Sequence, residues 1–148
     1  MQHQYSPPAF LGQDCSPELY RKWLEQKTGK LYRRDTRNKR RKIPNTTRAC
    51  YKKAIHEAVK KSEGKDAYTG KKLNWKLLGR YRNEKAKKEG KQKFKELPTV
   101  DHYSPKSGKL DFRICAWYVN DCKSDLTFKE LLDFCKAILK YEKHHRRR

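Results

Sequence analysis

Residues 99–108, TVDHYSPKSG, set a carboxylate and an imidazole side by side, Asp101 and His102, at the end of a short β-branched run. A carboxylate is a hard oxygen donor for cations, and an imidazole takes up and releases protons near neutral pH. Most Asp-His pairs do no more than cap a turn, so this one acquires meaning only from what the rest of the chain supplies. Asp111, Asn120 and Lys123 follow within the next 21 positions.

The elements that must position these residues can be read from pattern. LPTVDHY predicts a strand ending at the Asp-His pair, SPKSGKL a turn-rich loop, and DFRICAWYV the partner strand. In NDCKSDLTFKELLDFCKAILKYEK, Thr127 and Glu130 form a capping box. Phe128, Leu131, Leu132, Cys135, Ile138 and Leu139 then recur at helical spacing, a stripe expected in the core. The order strand, loop, strand, helix leaves Asn120 near the helical start. Upstream, Pro7 and Pro8 predict a flexible arm over 1–15. Ser16 and Pro17 open a helix, SPELYRKWLEQKTGKLYRR, with Leu19, Trp23 and Leu24 as its apolar stripe. A second helix is expected from Thr46 or Thr47 to Lys61, with Ala54, Ile55, Ala58 and Val59 on one face and SEGKD closing it. DAYTGKKLNW reads as a β-like turn with Gly70 at its tip. LLGRYRNEKAKKEGKQKFKEL reads as a basic helix or a long flexible excursion.

Charge sets the class of partner. The 148 residues carry 39 Lys+Arg against 17 Asp+Glu, a formal net charge of +22. Such an excess repels itself in the folded state and calls for a polyanion, with nucleic acid favoured because each neutralised phosphate releases condensed counterions. No 18-residue apolar run exists and the basic stretches lack a wide apolar face, so a membrane partner is not expected. The densest run, KLYRRDTRNKRRK at 30–42, holds eight basic residues and one acid. Its Arg33, Arg34, Arg37, Lys39, Arg40, Arg41 and Lys42 are expected to lie along a phosphate backbone. The start of the chain has neither a basic n-region nor an apolar h-region, so no signal peptide is expected. The five cysteines form no C-x-x-C pair, so no structural zinc is expected. They read as reduced thiols in a reducing, cytoplasmic compartment.

VDHYSPKSGKLDFRICAWYVNDCKSDL resembles the HNH nucleases, whose fold is the ββα-metal (His-Me) finger. It is similar above all to the HNH domain of RNA-guided CRISPR effector nucleases, in the Asp-His pair, the N-x-x-K-S-D element and the spacing of the middle position. YTGKKL at 68–73 resembles the upstream turn that bears cysteines in zinc-containing relatives. The resemblance covers roughly residues 66–139, while 1–65 match no nameable module. It implies an α+β fold: a ββα-metal finger with additional N-terminal helices and a C-terminal helix. The expected organisation is a flexible arm (1–15), a basic helical region (16–65), the nuclease domain (66–143) and a basic tail (144–148).

The resemblance also implies roles. His102 would be the general base that activates water, and Asp101 and Asn120 would hold a divalent cation, Mg²⁺ first and Mn²⁺ second. Lys123 would contact a phosphate oxygen. The family's middle position is usually Asn; by spacing it falls here on Asp111. Asp111 would fix the base-bearing loop, approach the metal, or pair with His102 and orient its tautomer. Adjacent strand side chains point to opposite faces; the resemblance implies that Asp101 and His102 lie instead at an irregular strand end, and the Ser104-Pro105 turn is consistent with that. The implied activity is a metal-dependent endonuclease acting on DNA more than RNA, as a homodimer if double strands are cut. The alternatives are a non-catalytic basic nucleic-acid-binding protein and an RNase or toxin-like effector nuclease with the same site.

Overall fold

The structure is a computed structural model that describes residues 4–37, 43–81, 88–104 and 108–146. Five α-helices are described: α1 (Pro17–Arg37), α2 (Arg48–Ser62), the single turn α3 (Leu77–Arg80), α4 (Trp117–Lys123) and α5 (Phe128–His145). Two strands, β1 (Pro98–His102) and β2 (Phe112–Ala116), pair antiparallel with Pro98 opposite Ala116 and His102 opposite Phe112. The fold is α+β, mostly helical around one small sheet.

Local chemistry accounts for the boundaries. Thr47 accepts from the Cys50 amide and starts α2. Glu63 (φ 48°) and Gly64 (φ 79°) end it in the left-handed region. Gly64 has a further reason to be glycine, since a Cβ there would sit 3.2 Å from the Phe10 ring. Asp66 organises the following turn. Its Oδ1 accepts from the amides of Tyr68 and Thr69, and its Oδ2 accepts from the Ala116 amide at 2.6 Å, which ties the turn to the end of β2.

α1 packs on α2, α2 lies against β2, and α4 folds back on β1. One core runs through all of them, built from Tyr20, Trp23, Leu24, Leu31, Tyr51, Ile55, Val59, Val100, Phe112, Ile114 and Val119. Within the stretch expected as a loose arm, Ala9–Asp14 forms a 3-10 turn, and Leu11 and Cys15 enter this core. The basic stretch after Trp75 forms α3 and a second 3-10 turn, Lys91–Phe94, around a small cluster of Phe94 and Leu97; residues 82–87 lie outside the described residues.

The C-terminal helix departs from expectation. The Thr127–Glu130 capping box forms as predicted. The stripe assigned to the core does not enter it: α5 has no buried residue, and Leu132 (40% exposed), Ile138 (48%) and Leu139 (64%) face outward. The helical period was correctly read, but the core is already closed by α1, α2, α4 and the hairpin. Among the described residues no helix is long and apolar enough to cross a membrane.

Candidate active site

The hairpin delivers Asp101 and His102 to two different sets of neighbours. Pairing stays regular through His102, so the irregular strand end expected there is not found, and Pro105 lies outside the described residues. The pleat therefore turns the two side chains to opposite faces of β1.

On one face, the buried Asp101 meets Tyr68 and Lys123. The Tyr68 hydroxyl donates to Asp101 Oδ2, and Lys123 Nζ lies 3.0 Å from the same oxygen. Burial first, and then the bond to Asp101, push the Tyr68 phenol far above its ordinary value, so it remains a donor. Lys123 is fully buried, and its ammonium also donates to the His102 carbonyl at 3.0 Å. This differs from the phosphate contact expected of Lys123: α4 begins directly at Trp117, which carries position 123 under β1 rather than out to solvent. Asn120 is half-buried within α4, since β2 ends at Ala116 and the helix has started three residues before it.

On the other face, His102 is clamped between two residues of α1. Nε2 lies 2.8 Å from Asp35 Oδ2, and Nδ1 lies 2.7 Å from an Arg34 guanidinium nitrogen. Arginine only donates. Nδ1 is therefore an acceptor, and the imidazole is neutral with its proton on Nε2, donated to Asp35. Tyr51 of α2 donates to the same Oδ2 at 3.0 Å. Burial opposes ionisation of Asp35, yet the hydrogen bonds from His102 and Tyr51 and the charge of Arg34 outweigh it, holding the carboxyl below the usual aspartate range. Phe112, directly across the ladder, meets the ring edge-on at 4.9 Å. The result is a fixed tautomer whose basic nitrogen faces a half-exposed arginine.

Asp111 does not reach His102. Its carboxylate pairs with Arg113, and its contribution to the loop is main-chain, the carbonyl accepting from the Tyr103 amide at 2.9 Å. The carboxylate orienting the imidazole is Asp35, 67 positions away. The available sequence signal was its oddity, the one acid inside the most basic run. Of the expected backbone contacts, Arg33, Arg34 and Arg37 line an open shelf with Lys30 on α1. Lys39, Arg40, Arg41 and Lys42 lie outside the described residues.

Two observations bear on a cation. Among the described residues no group of three His, Cys, Asp or Glu side chains clusters. Asp101 and Asn120 are nonetheless hard oxygen donors of the kind Mg²⁺ takes while keeping most of its waters. Lys123 already holds its positive charge against Asp101 Oδ2, so in this arrangement the ammonium neutralises that oxygen and a cation at Asp101 would have to displace it. Compared with protein-family models, curated proteins and solved structures, the chain matches none.

Proposed function

We propose that this protein is a metal-dependent HNH-type endonuclease that hydrolyses phosphodiester bonds in nucleic acid, DNA before RNA. The observation that carries the reading is the Asp35–His102–Arg34 arrangement. A buried carboxylate fixes the imidazole in the tautomer whose Nδ1 lone pair is available. The cation beside that lone pair belongs to a shelf of four, Lys30, Arg33, Arg34 and Arg37, suited to a phosphate backbone. An entering phosphate draws Arg34 from Nδ1, and the vacated lone pair takes the proton from the attacking water. Asp35 and Tyr51 hold the imidazole as it gains charge. Asp101 and Asn120 would hold the divalent cation, which supplies neutralisation of the charge growing on phosphate. The hairpin, its Asp-His pair and the following helix with N-x-x-K support a ββα-metal finger as the frame. In this reading the phosphate sits at the end of β1, with His102 and Asp101 acting on it from the two faces of the strand.

One observation favours the non-catalytic reading. Arg34 occupies Nδ1 and Lys123 occupies Asp101 Oδ2, so both reactive atoms are engaged. The two readings part on one experiment: purified protein incubated with plasmid and with structured RNA in Mg²⁺, Mn²⁺ or EDTA. The nuclease reading expects metal-dependent cleavage that falls about 10²- to 10⁴-fold in His102→Ala, with affinity retained. Binding without cleavage in any metal would establish the second reading, and cleavage unchanged in His102→Ala would remove His102 as the base.

A further inference from the structure

Away from His102, a cavity of about 460 Å³ opens between α1 and α3, at the start of β1. Its walls are aromatic and aliphatic, from Trp23, Tyr81, Leu19, Leu78 and Leu97, and the charged side chains among its lining residues are lysines: Lys22, Lys27 and Lys30. No acid lines it. Lys27 is the singular member. Its ammonium donates to Thr99 Oγ1 at 2.9 Å, and among the described residues no carboxylate pairs with it. Burial, and after it the neighbouring Lys30, bring its pKa down to about 8. Trp23 adds a buried indole N–H without a hydrogen-bond partner. A half-buried cation lacking its anion is costly to maintain, and an apolar slot ending in such a cation is complementary to a flat ring attached to an anion.

The position of Lys27 on α1 gives the cavity its context. Lys27, Lys30, Arg34 and Arg37 are spaced three, four and three residues apart, so they form one ridge along the helix. The ridge spans about 15 Å and passes from the cavity to the arginine on His102 Nδ1. We propose that the cavity takes the base of one unpaired nucleotide, stacked against Trp23 and Tyr81 with its phosphate on Lys27 and Lys30, while the same strand continues along the ridge to Arg34. The substrate class is then a nucleic acid with an extruded or single-stranded position near the cleaved bond, rather than uninterrupted duplex. Stacking on aromatic walls tolerates any base, and extrusion is least costly where pairing is already broken. This inference rests on the nucleic-acid part of the function proposed above.

The test reads binding in EDTA, so it does not depend on turnover. Fluorescence anisotropy compares a labelled hairpin duplex carrying one unpaired nucleotide with the fully paired duplex and with dAMP alone. The wild-type protein should bind the interrupted duplex about tenfold more tightly than the paired one. Lys27→Met should erase that preference while leaving paired-duplex affinity within twofold. Gly79→Leu should do the same without changing any charge. Gly79 lines the same cavity, and a Cβ there makes only ordinary contact, 3.5 Å from Leu19, so a larger side chain fills the space. Circular dichroism establishes that each variant is folded, and Lys27→Met decides alone if Gly79→Leu is not. Equal affinity for both duplexes, or a preference that survives in the folded variants, overturns the inference. Lys27-dependent binding of dAMP without preference for the interrupted duplex also overturns it, in favour of a free-nucleotide site. Absence of cleavage together with the expected preference would instead remove the nuclease reading and leave this site standing.

Discussion

Replacing Lys123 by Met separates a lysine that touches substrate from one that holds the fold. Its ammonium is fully buried, 3.0 Å from Asp101 Oδ2, and also donates to the His102 carbonyl. Methionine matches the stem in length and apolarity but leaves the Asp101 carboxylate buried without its cation. Removing one partner of a buried ion pair costs about 3–5 kcal/mol. The Tyr68 hydroxyl still satisfies Oδ2 in part, so the low end, about 3 kcal/mol, is expected. For a chain of this size that corresponds to a fall in Tm of about 6–12 °C. The measurement is urea unfolding followed by tryptophan fluorescence, since Trp23 and Trp75 are buried. Adding Asp101→Asn to Lys123→Met removes the orphaned charge and should recover about half of the loss, a coupling that a double-mutant cycle reads directly. A single variant within about 1 kcal/mol of wild type would refute the reasoning, because that is the cost of changing a solvated surface lysine.

Asp35→Asn keeps the shape of the side chain but removes the charge that holds His102 in one tautomer; plasmid cleavage should fall about 100-fold or more, while Asp111→Asn should retain most of the rate. Neutralising Arg33, Arg34 and Arg37 together should reduce the slope of log K against log salt by about 3, at roughly 0.9 per lost phosphate contact, in an EDTA titration with duplex DNA; an unchanged slope would show that the shelf is only solvated. Iodoacetamide at pH 8 followed by peptide mass analysis should modify Cys50, exposed and lowered chiefly by the Thr47 hydroxyl bond. It should spare Cys15, whose thiol burial pushes up to about 11, and the buried Cys115.

What the sequence revealed was local and what it concealed was distant. Thr47 and the Thr127–Glu130 box declare helix starts through contacts three residues long, and both helices begin there. The residue types of LPTVDHY and DFRICAWYV gave β1 within a residue of its ends and the start of β2, while β2 stops at Ala116, three residues short of the expected end, because a helix begins at Trp117. Period also announced the apolar stripe of α5. Burial is not a property of period, however; it depends on whether another element needs covering, and the core closes without Leu139 or Ile138. The site shows the same division. The adjacency of Asp101 and His102 was visible, but which face each would serve depended on the regularity of β1. The partners that decide their chemistry, Asp35, Arg34, Tyr51 and Tyr68, lie 33 or more positions away from them in sequence. For Lys123 the resemblance implied a phosphate contact, and only the placement of α4 under the hairpin revealed a buried ammonium.

The bond from His102 to Asp35 ties the last turns of α1 to the end of β1, across 67 positions of chain. Protection against solvent exchange should therefore be shared between these two segments. Fraying of α1 at its C-terminal end, the ordinary fate of a helix terminus, has to break a buried charged hydrogen bond and release Tyr51 as well. Amides near residues 31–36 and 99–102 should then open together as one cooperative unit, although nothing in the main-chain ladder connects them.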